Sequence, residues 1–303
     1  MTTTRPASGE QWSLRHGDDV VTVVEVGGGL RSWTRVGAHV LAGYAAGEMC
    51  LAGRGQVLFP WPNRVRDGAY VHAGTRRQLA LTEPRLGNAT HGLVRWLPWR
   101  VVDRCESSVT VACELHPQPG WEWPLDLSVT YALTGDGLVV TPVVTNPGAT
   151  AAPFGLGFHP YVSIGDTPVA DLHLTIPGTS FVTVGERLLP TGVEPVAGTA
   201  VDFRDGRAIG DAVLDTAYGD LTVVDGRWGV LVDGLADLPR VTVWGEPAYR
   251  WVQVFTGKAA AEGQHGIAVE PTTCPPDALN SGVDLLTLEP GGRWTARWGI
   301  SLG

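Results

Sequence analysis

The sequence predicts an all-β protein built as one large antiparallel β-sandwich, and three observations favour this class. The chain of 303 residues contains 40 glycines and 22 prolines, about a fifth of the total against a usual share of about 12%. Both residues interrupt helices and serve turns. Short segments rich in β-branched residues recur at spacings of about 8 to 12 residues, and no amphipathic helix longer than about ten residues stands out.

The predicted strands follow one another along the chain, and several end at glycine-containing turns. In order they are 20–26, 30–36, 40–43, 127–133, 138–144, 221–224, 228–232, 241–244, 251–255, 285–288 and 294–300. The turns at 134–137 and 225–226 contain Asp-Gly pairs, which adopt positive φ readily and are typical of β-hairpins. The best helical prediction is a single turn at 275–279, ended by Asn280-Ser281-Gly282.

The composition fits a folded domain with a substantial core. Hydrophobic residues make up 44% of the chain and charged residues 17%, which argues against disorder. A chain of this length can bury a large apolar interior. Because neither a linker-like shift in composition nor an internal repeat is present, we predict one domain over residues 10–303, preceded by a flexible terminus at 1–9.

Charge and targeting features narrow the class of partner. The net charge of −9 argues against nucleic-acid binding through a basic surface. No stretch approaches the roughly 20 apolar residues of a membrane helix, and the start of the chain lacks the apolar core of a secretory signal. The four cysteines form no CxxC motif, as expected of free thiols in a reducing cytosol. We therefore expect a cytoplasmic protein that binds neither nucleic acid nor membrane.

Four segments are more specific than ordinary turns of a β-protein, because each combines stiff or glycine-rich backbone with a polar or titratable residue. They are 59–70 (FPWPNRVRDGAY), 88–93 (NATHGL), 154–161 (FGLGFHPY) and 266–273 (GIAVEPTT). In the first, two prolines limit the entropy lost when Asn63 and Arg64 bind a ligand, and the arginine fork suits adjacent sugar hydroxyls or an anion. In the last, Glu270 ends an apolar strand, where burying an unpartnered charge is costly. We therefore expect a raised pKa for this carboxyl and a functional role.

The order and wording of these segments resemble the aldose 1-epimerase (galactose mutarotase) family. The matching stretches span about residue 10 to residue 300, which makes the set far more specific than any single motif. In chain order they are Asn63-Arg64, His91-Gly92, Gly155 to Tyr161, Leu214-Asp215 and Val269-Glu270-Pro271. The resemblance implies a large galactose mutarotase-like sandwich with the site in a groove on one sheet.

The resemblance also implies roles for individual residues. Glu270 matches the general base of the family, and His159 matches its general acid. The positions that match substrate-binding residues of the family are Asn63, Arg64, His91 and Asp215. Asp215 departs most from the pattern, because the family often has a histidine next, whereas here Thr216 follows.

This pair of residues suits the implied reaction, the interconversion of the α and β anomers of a hexose. The anomeric hydroxyl must lose a proton while the ring oxygen gains one, so a base and an acid in opposite protonation states are needed. The chemistry requires no metal, nucleotide or covalent nucleophile, and the sequence contains neither a Walker A nor an HExxH motif. We therefore expect a cofactor-free isomerase acting on a small-molecule monosaccharide.

Other functions remain open at this stage. The same fold could serve as a non-catalytic carbohydrate-binding domain. A glycoside hydrolase could use Asp215 and Glu270 as its carboxylate pair, and His91, His159 and Glu270 could hold a metal ion. Activity that survives chelation, or the release of reducing ends from a glycoside, would discriminate among these alternatives.

Two further expectations concern the substrate. A hexose carrying a 6-phosphate or 6-sulfonate could meet Arg64, Arg66 or Arg95, and the local wording resembles a bacterial subgroup with some members linked to sulfonated-sugar catabolism. The chain also contains 12 tryptophans, whose faces can stack on a pyranose. Trp121 and Trp251 are the candidate stacking residues.

Overall fold

The fold is built almost entirely from β-strands. The computed structural model describes residues 5–257 and 266–303. Within these ranges it contains 28 strands, one short helix, α1 (Ala278–Ser281), and a 3₁₀ turn at Val169–Asp171. The prediction of an all-β protein is therefore confirmed.

The strands range in length from two residues in β4 to ten in β12. In the first half of the chain they are β1 (Gln11–His16), β2 (Asp19–Val24), β3 (Leu30–Arg35), β4 (Ala38–His39), β5 (Val57–Leu58), β6 (Arg64–Arg66), β7 (Ala69–His72), β8 (Thr75–Gln78), β9 (Asn88–Thr90), β10 (Arg100–Arg104), β11 (Ser108–Leu115), β12 (Leu125–Thr134), β13 (Gly137–Thr145) and β14 (Ala152–Phe154). In the second half they are β15 (Gly157–Phe158), β16 (Tyr161–Ser163), β17 (His173–Thr175), β18 (Gly178–Val184), β19 (Pro190–Pro195), β20 (Arg207–Ala208), β21 (Asp215–Leu221), β22 (Trp228–Asp233), β23 (Val241–Gly245), β24 (Trp251–Phe255), β25 (Gly266–Thr272), β26 (Leu286–Leu288), β27 (Arg293–Thr295) and β28 (Trp298–Leu302).

Two large sheets dominate the architecture. The ten-stranded sheet has the order β10-β11-β12-β13-β28-β23-β22-β17-β20, with β27 also pairing with β13. The eight-stranded sheet has the order β19-β18-β21-β24-β25-β15-β5, with β16 also pairing with β25. Strands β1 to β4 form a separate sheet, and β6-β9, β7-β8 and β14-β26 form two-stranded pairs.

The core lies between the inner faces of the two large sheets. Every second residue of β12 is buried, which is the pattern of a sheet with one face on the core. Phe158 of the eight-stranded sheet and Trp298 of the ten-stranded sheet have ring centroids 5.0 Å apart. Both side chains belong to one continuous hydrophobic cluster, so the sheets pack face to face as a sandwich.

Several predicted strands coincide with strands of the structure. The prediction at 251–255 coincides with β24, and the predicted hairpin at 127–144 is β12 and β13. Within the segment 40–43, Val40 and Leu41 are buried, but the segment forms only an isolated bridge from Leu41 to Val162 and is not a strand. The segment 294–300 is interrupted at Ala296 and Arg297 and forms two strands.

Two other predictions are displaced along the chain. The strand expected at 221–224 is β21, which ends at Leu221. The helical turn expected at 275–279 begins only at Ala278, after Asp277 adopts a left-handed conformation with φ of 62°. Gly282, with φ of 72°, follows the helix as expected.

The N-terminal segment is partly packed against the fold, and the cysteines are unpaired. Of residues 1–9, which were expected to be flexible, the structure describes 5–9, and the buried Ser8 side chain donates to the Ala46 carbonyl at 2.9 Å. The packed part of the chain therefore begins by Ser8. The four cysteines are free thiols. None of the helices described is both long and apolar enough to span a membrane.

Candidate functional site

The floor of the candidate site is the outer face of the eight-stranded sheet, turned away from the core. On β24 and β25 the valines Val254 and Val269 face the hydrophobic core. Because successive side chains of a strand point to opposite faces, Gln253 and Glu270 lie on the outer face. Asp215, on the neighbouring strand β21, lies on the same face and receives a hydrogen bond from Gln253.

One wall of the site is built by two residues with left-handed backbone, Asn63 (φ 53°) and His91 (φ 57°). The His91 amide donates to the Asn63 carbonyl at 2.8 Å, and the Asn63 amide donates to His91 Nδ1 at 3.2 Å. Since Nδ1 accepts this bond, the proton of the neutral His91 ring is on Nε2. Two segments separated by 28 residues are therefore locked together at the site.

Gly92 allows this close approach. It has φ of 72°, and a Cβ atom at this position would lie 2.0 Å from the Phe59 carbonyl oxygen. Only glycine fits such a contact. In the His-Gly motif, the glycine is therefore needed for the close backbone contact, and the histidine supplies a side chain to the site.

The floor and walls enclose a cavity of about 680 Å³. All six predicted site residues line it: Asn63, Arg64, His91, His159, Asp215 and Glu270. The sequence motifs, which lie as much as two hundred residues apart, therefore converge on one place. The volume lies within the range of about 300 to 1,000 Å³ typical of small-molecule sites.

His159 and Glu270 are in direct contact within the cavity. The His159 Nε2 atom lies 3.3 Å from Glu270 Oε1, with the two side chains 7% and 4% exposed. The His159 ring stacks on Tyr161, with centroids 5.2 Å apart and planes 9° from parallel, and meets the edge of His91 at 5.4 Å. The other ring nitrogen of His159, Nδ1, is buried and has no hydrogen-bond partner in the described part of the chain.

Burial sets the proton affinity of this pair. It raises the pKa of Glu270 well above its ordinary value, with a further rise from the nearby Asp215 carboxylate. It lowers the pKa of His159 to about 3 and that of His91 well below its ordinary value, with His159 and Arg95 acting in the same direction. Burial therefore favours the neutral forms of both members of the His159–Glu270 pair.

Arg64 and Asn63 form a prearranged polar corner. Arg64 donates to both oxygens of Glu83, at 2.9 and 3.0 Å, and its amide donates to Asn63 Oδ1 at 2.9 Å. This fork-to-fork pair fixes the guanidinium while its edge lines the cavity. Glu83 is thus a supporting residue that the sequence motifs did not reveal.

Gln253 is the main site residue missed by sequence reasoning. Its Nε2 donates to Asp215 Oδ1 at 2.6 Å, and its side chain is 5% exposed. The signal was present: a lone amide in the middle of the apolar strand WVQVF needs a partner when buried. Arg95 and Trp96 also line the cavity, and Trp96 is 50% exposed.

Three expectations about contact residues are corrected. The lining of the cavity, taken over residues 5–257 and 266–303, includes neither Trp121 nor Trp251. Trp121 is fully buried, because its ring packs against other tryptophans and its Nε1 donates to the Trp123 carbonyl. Trp251 donates instead to Asp284 at 2.8 Å. Arg66 is likewise absent from the lining.

Among the residues whose positions are described, no group of three or more histidine, cysteine, aspartate or glutamate side chains has an arrangement that could hold a metal ion. His91, His159 and Glu270 lie near one another, yet Nδ1 of His91 is occupied by the Asn63 amide. The contacts of this cluster are hydrogen bonds and ring packing.

The architecture is that of the galactose mutarotase-like β-sandwich proteins. An aldose epimerase homologue from C. elegans superposes with a TM-score of 0.84 at 18% identity, covering 97% of this chain and 99% of the other. The galactose 1-epimerase from Lactobacillus acidophilus NCFM gives 0.78 at 22% identity, covering 97% and 94%. These likenesses show the fold.

Sequence comparison shows the family. The family model described as aldose 1-epimerase matches residues 10–301, so the chain belongs to the aldose 1-epimerase family, a family of carbohydrate epimerases. The uncharacterised protein YihR of Escherichia coli K12 is 34% identical over 94% of this chain and 90% of its own. The galactose mutarotase of Pongo abelii is 32% identical over 53% of this chain, and the match spans about half (48%) of that enzyme.

Proposed function

We propose that the protein is an aldose 1-epimerase that interconverts the α and β anomers of a hexose. The observation that carries this proposal is the contact of 3.3 Å between His159 Nε2 and Glu270 Oε1 inside a polar cavity. A buried imidazole and a buried carboxyl in direct contact can share one proton, which matches the needs of ring opening, since that step takes a proton from one oxygen and gives one to another.

In this proposal, Glu270 and His159 act together on the bound sugar. The Glu270 carboxylate takes the proton of the anomeric hydroxyl while the His159 imidazolium gives a proton to the ring oxygen, and the C1–O5 bond breaks to give the open aldehyde. Rotation about C1–C2 presents the other carbonyl face. The ring then closes as neutral His159 removes the proton from the O5 hydroxyl and the Glu270 acid returns one to O1. Atoms and protons balance, and both residues regain their initial state.

The polar corner provides the binding contacts in this proposal. Arg64, held by Glu83, offers fixed N–H groups to sugar hydroxyls. The Nε2–H of His91 is a second donor, and Asp215 is an acceptor. Because these groups are already ordered, little side-chain entropy is lost when the sugar binds.

The protonation of the pair predicts the pH dependence of the reaction. The reactive form carries one proton shared between Glu270 and His159, so activity is lost when both are protonated at low pH or when neither is at high pH. We therefore expect a bell-shaped profile of kcat/KM whose two limbs belong to the pair as a unit.

Polarimetry of freshly dissolved α-D-glucose and α-D-galactose tests the proposal. The wild-type protein should accelerate mutarotation in EDTA, and Glu270→Gln and His159→Asn should each lower turnover by at least about 10²-fold. The exposed Glu194→Gln and His173→Asn are matched controls that should retain activity. Turnover near the wild-type level in either site variant would contradict the assigned roles, and release of reducing ends from a glycoside would support the hydrolase alternative.

A second candidate substrate class, a hexose with an anionic group at C6, is favoured by Arg95. Arg64 and Arg66 are both paired with carboxylates, Glu83 and Asp277. Arg95 has only the neutral acceptors Thr90 O, at 3.3 Å, and Gln56 Oε1, at 3.5 Å, and its Nε is buried without a partner within the described ranges. A guanidinium in this state can take an anion.

Competing sugars distinguish the two substrate classes. If Arg95 receives an anionic group, kcat/KM for glucose 6-phosphate or 6-sulfonate should exceed that for glucose by at least about 10-fold, as expected for one charge-assisted contact, and Arg95→Met should remove the preference. Equal or better use of the neutral hexose would dismiss the anionic class and leave the epimerase assignment in place. Sugar binding without turnover of any substrate would support a non-catalytic binding domain.

A further inference from the structure

Three neighbouring strands bring a carboxyl, an amide and a second carboxyl to the same outer face of the eight-stranded sheet. Asp215 lies on β21, Gln253 on β24 and Glu270 on β25, and β24 lies between the other two. Gln253 is directly opposite Glu270 in the antiparallel register. On its other side it is opposite Ala217, two residues along the strand from Asp215, so the amide stands between the two carboxyl groups.

The amide of Gln253 is oriented by one of these carboxyls and leaves its other end unpaired. Its Nε2 donates to Asp215 Oδ1 at 2.6 Å, towards β21. Its Oε1 is buried and accepts no hydrogen bond from the part of the chain that the structure describes. Gln253 and Glu270 are directly opposite in the register of β24 and β25, where facing side chains of a sheet are within reach of each other, so Glu270 is the group on β25 that the unpaired amide oxygen can meet.

This orientation has chemical consequences for Glu270. An amide oxygen accepts a hydrogen bond from a protonated carboxyl, but it offers nothing to a carboxylate. If Asp215 becomes neutral, the amide is free to rotate by half a turn and direct its N–H groups at Glu270. The ionised form of Glu270 would then gain a donor that it lacks in the present arrangement.

We propose that Gln253 is a positioning residue that links the two buried carboxyl groups, so that the charge on Asp215 turns the amide and thereby decides which form of Glu270 is hydrogen-bonded. The inference rests on the proposed function, in which Glu270 is the base. It adds that Asp215 on β21 controls Glu270 on β25, although these two strands do not pair with each other.

Other groups that face Glu270 must be separated from this effect. They are His159, in contact at 3.3 Å, Tyr161, which is influenced by the Glu270 charge, and Asp215 and Arg64, which act through space. Loss of the Asp215 charge alone lowers the pKa of Glu270 by Coulombic interaction. A cycle of single and double variants isolates the part that passes through the amide.

The cycle consists of wild type, Asp215→Asn, Gln253→Met and the double variant. The titration of Glu270 is followed by ¹³C NMR of the glutamate carboxyl carbons, and Glu270→Gln identifies the signal. We expect Asp215→Asn to lower the pKa of Glu270 by about one unit, and by less than half as much when Gln253 is already replaced. Equal lowering in both backgrounds would overturn the proposal, because it would show that the carboxyls interact only through space.

The NMR measurement does not depend on turnover, so the two proposals can fail separately. Coupling without mutarotation of any sugar would disprove the function and preserve the link. Mutarotation without coupling would support the proposed function and disprove the link between the two carboxyl groups. Should Gln253→Met fail to fold, as judged by its thermal unfolding, Gln253→Asn shortens the amide by one methylene and provides the same cycle.

Discussion

Single residues at the site carry opposing demands of burial and charge. The carboxyl of Glu270 and the imidazole of His159 are both almost completely buried, and burial alone drives each towards its neutral form. The contact between them resolves this conflict, since moving one proton from carboxyl to imidazole creates both charges side by side. A pair of this kind can alternate between neutral and ionic forms without exchanging protons with water.

The shifted pKa values predict opposite stability trends for two variants. Glu270 has a raised pKa, so wild type loses stability as the pH rises from about 4.3, and Glu270→Gln should gain stability relative to wild type in that direction. His159 has a pKa lowered to about 3, so wild type loses stability as the pH falls below about 6.5, and His159→Asn should gain in that direction. Urea unfolding between pH 5 and 8 measures both trends.

A resting ion pair would give a different result. In that case Glu270→Gln would leave a charged imidazole buried alone and would destabilise the protein near pH 7. The exposed variants Glu194→Gln and His173→Asn provide the control, and the difference between each of them and wild type should stay nearly constant over the same pH range.

Arg64 and Arg66 form a matched pair for a test of substrate binding. Arg64 lines the cavity, whereas Arg66 lies outside it with a side chain 47% exposed and 3.5 Å from Asp277. Arg64→Ala should raise KM with a smaller effect on kcat, because its contacts serve bound sugar and transition state alike. Arg66→Ala should change KM less than about twofold, as expected of an exposed ion pair. Steady-state polarimetry over a range of sugar concentrations decides between the two outcomes, and an equal rise of KM in both variants would contradict the binding role.

At the level of elements, local sequence predicted the motif loops well and the sheet register poorly. Asn63-Arg64 and His91-Gly92 are contiguous motifs whose turn geometry depends on neighbouring residues, so they could be singled out from the sequence. The bond from Gln253 to Asp215 spans 38 residues and depends on which strands pair and in which register. Periodicity reveals a strand but not its partner.

The misplaced strand at 221–224 has a related cause. The true strand, β21, has the sequence DTAYGDL, in which the polar site residue Asp215 and a glycine weaken the apolar alternation. The side chains required at the site therefore obscured the strand that carries them. Segment 40–43 was wrongly predicted to be a strand. Its apolar residues indicate burial, but a packed loop buries apolar side chains as well as a strand does.

The turn at Gly92 provides a prediction at this scale. Gly92→Ala places a methyl group against the Phe59 carbonyl and requires a positive φ that alanine disfavours. We expect a loss of stability of about 1 to 3 kcal/mol and a larger loss of activity than in Gly74→Ala. Gly74 is a suitable control because it also has positive φ, 75°, but no atom lies within 4 Å of the place that an alanine methyl would take there. Equal effects in denaturant unfolding would show that only backbone strain, and not the packing on Phe59, matters.

The whole molecule depends on the packing between its two large sheets. Trp298 is fully buried and meets Phe158 across the interface. Trp298→Ala should cost about 3 to 5 kcal/mol of unfolding free energy. Trp298→Phe should cost less than the alanine variant, because it keeps one aromatic ring at the interface, leaves a smaller cavity and removes an indole N–H without a partner in the described chain. Urea unfolding of both variants tests this, and a small loss for alanine would place the main source of stability elsewhere.

The fold class and family were accessible from the sequence because they rest on properties spread over the entire chain. Glycine and proline content, strand spacing and motif order all point in the same direction, and the errors in individual strands do not affect them. The position of the site on the outer face of one sheet depends on the alternation of buried and outward side chains along β24 and β25. That alternation was hidden, because both faces of these strands are covered.

All seven residues of β25 are buried, and the strand lies inside its sheet between β24 and β15. The amide hydrogens around Glu270 should therefore exchange with deuterium only when the sandwich opens as a whole, since local fraying has no free edge from which to start. Heat inactivation and global unfolding should then share one midpoint. The Glu270 carboxyl should therefore remain in position for as long as the protein remains folded.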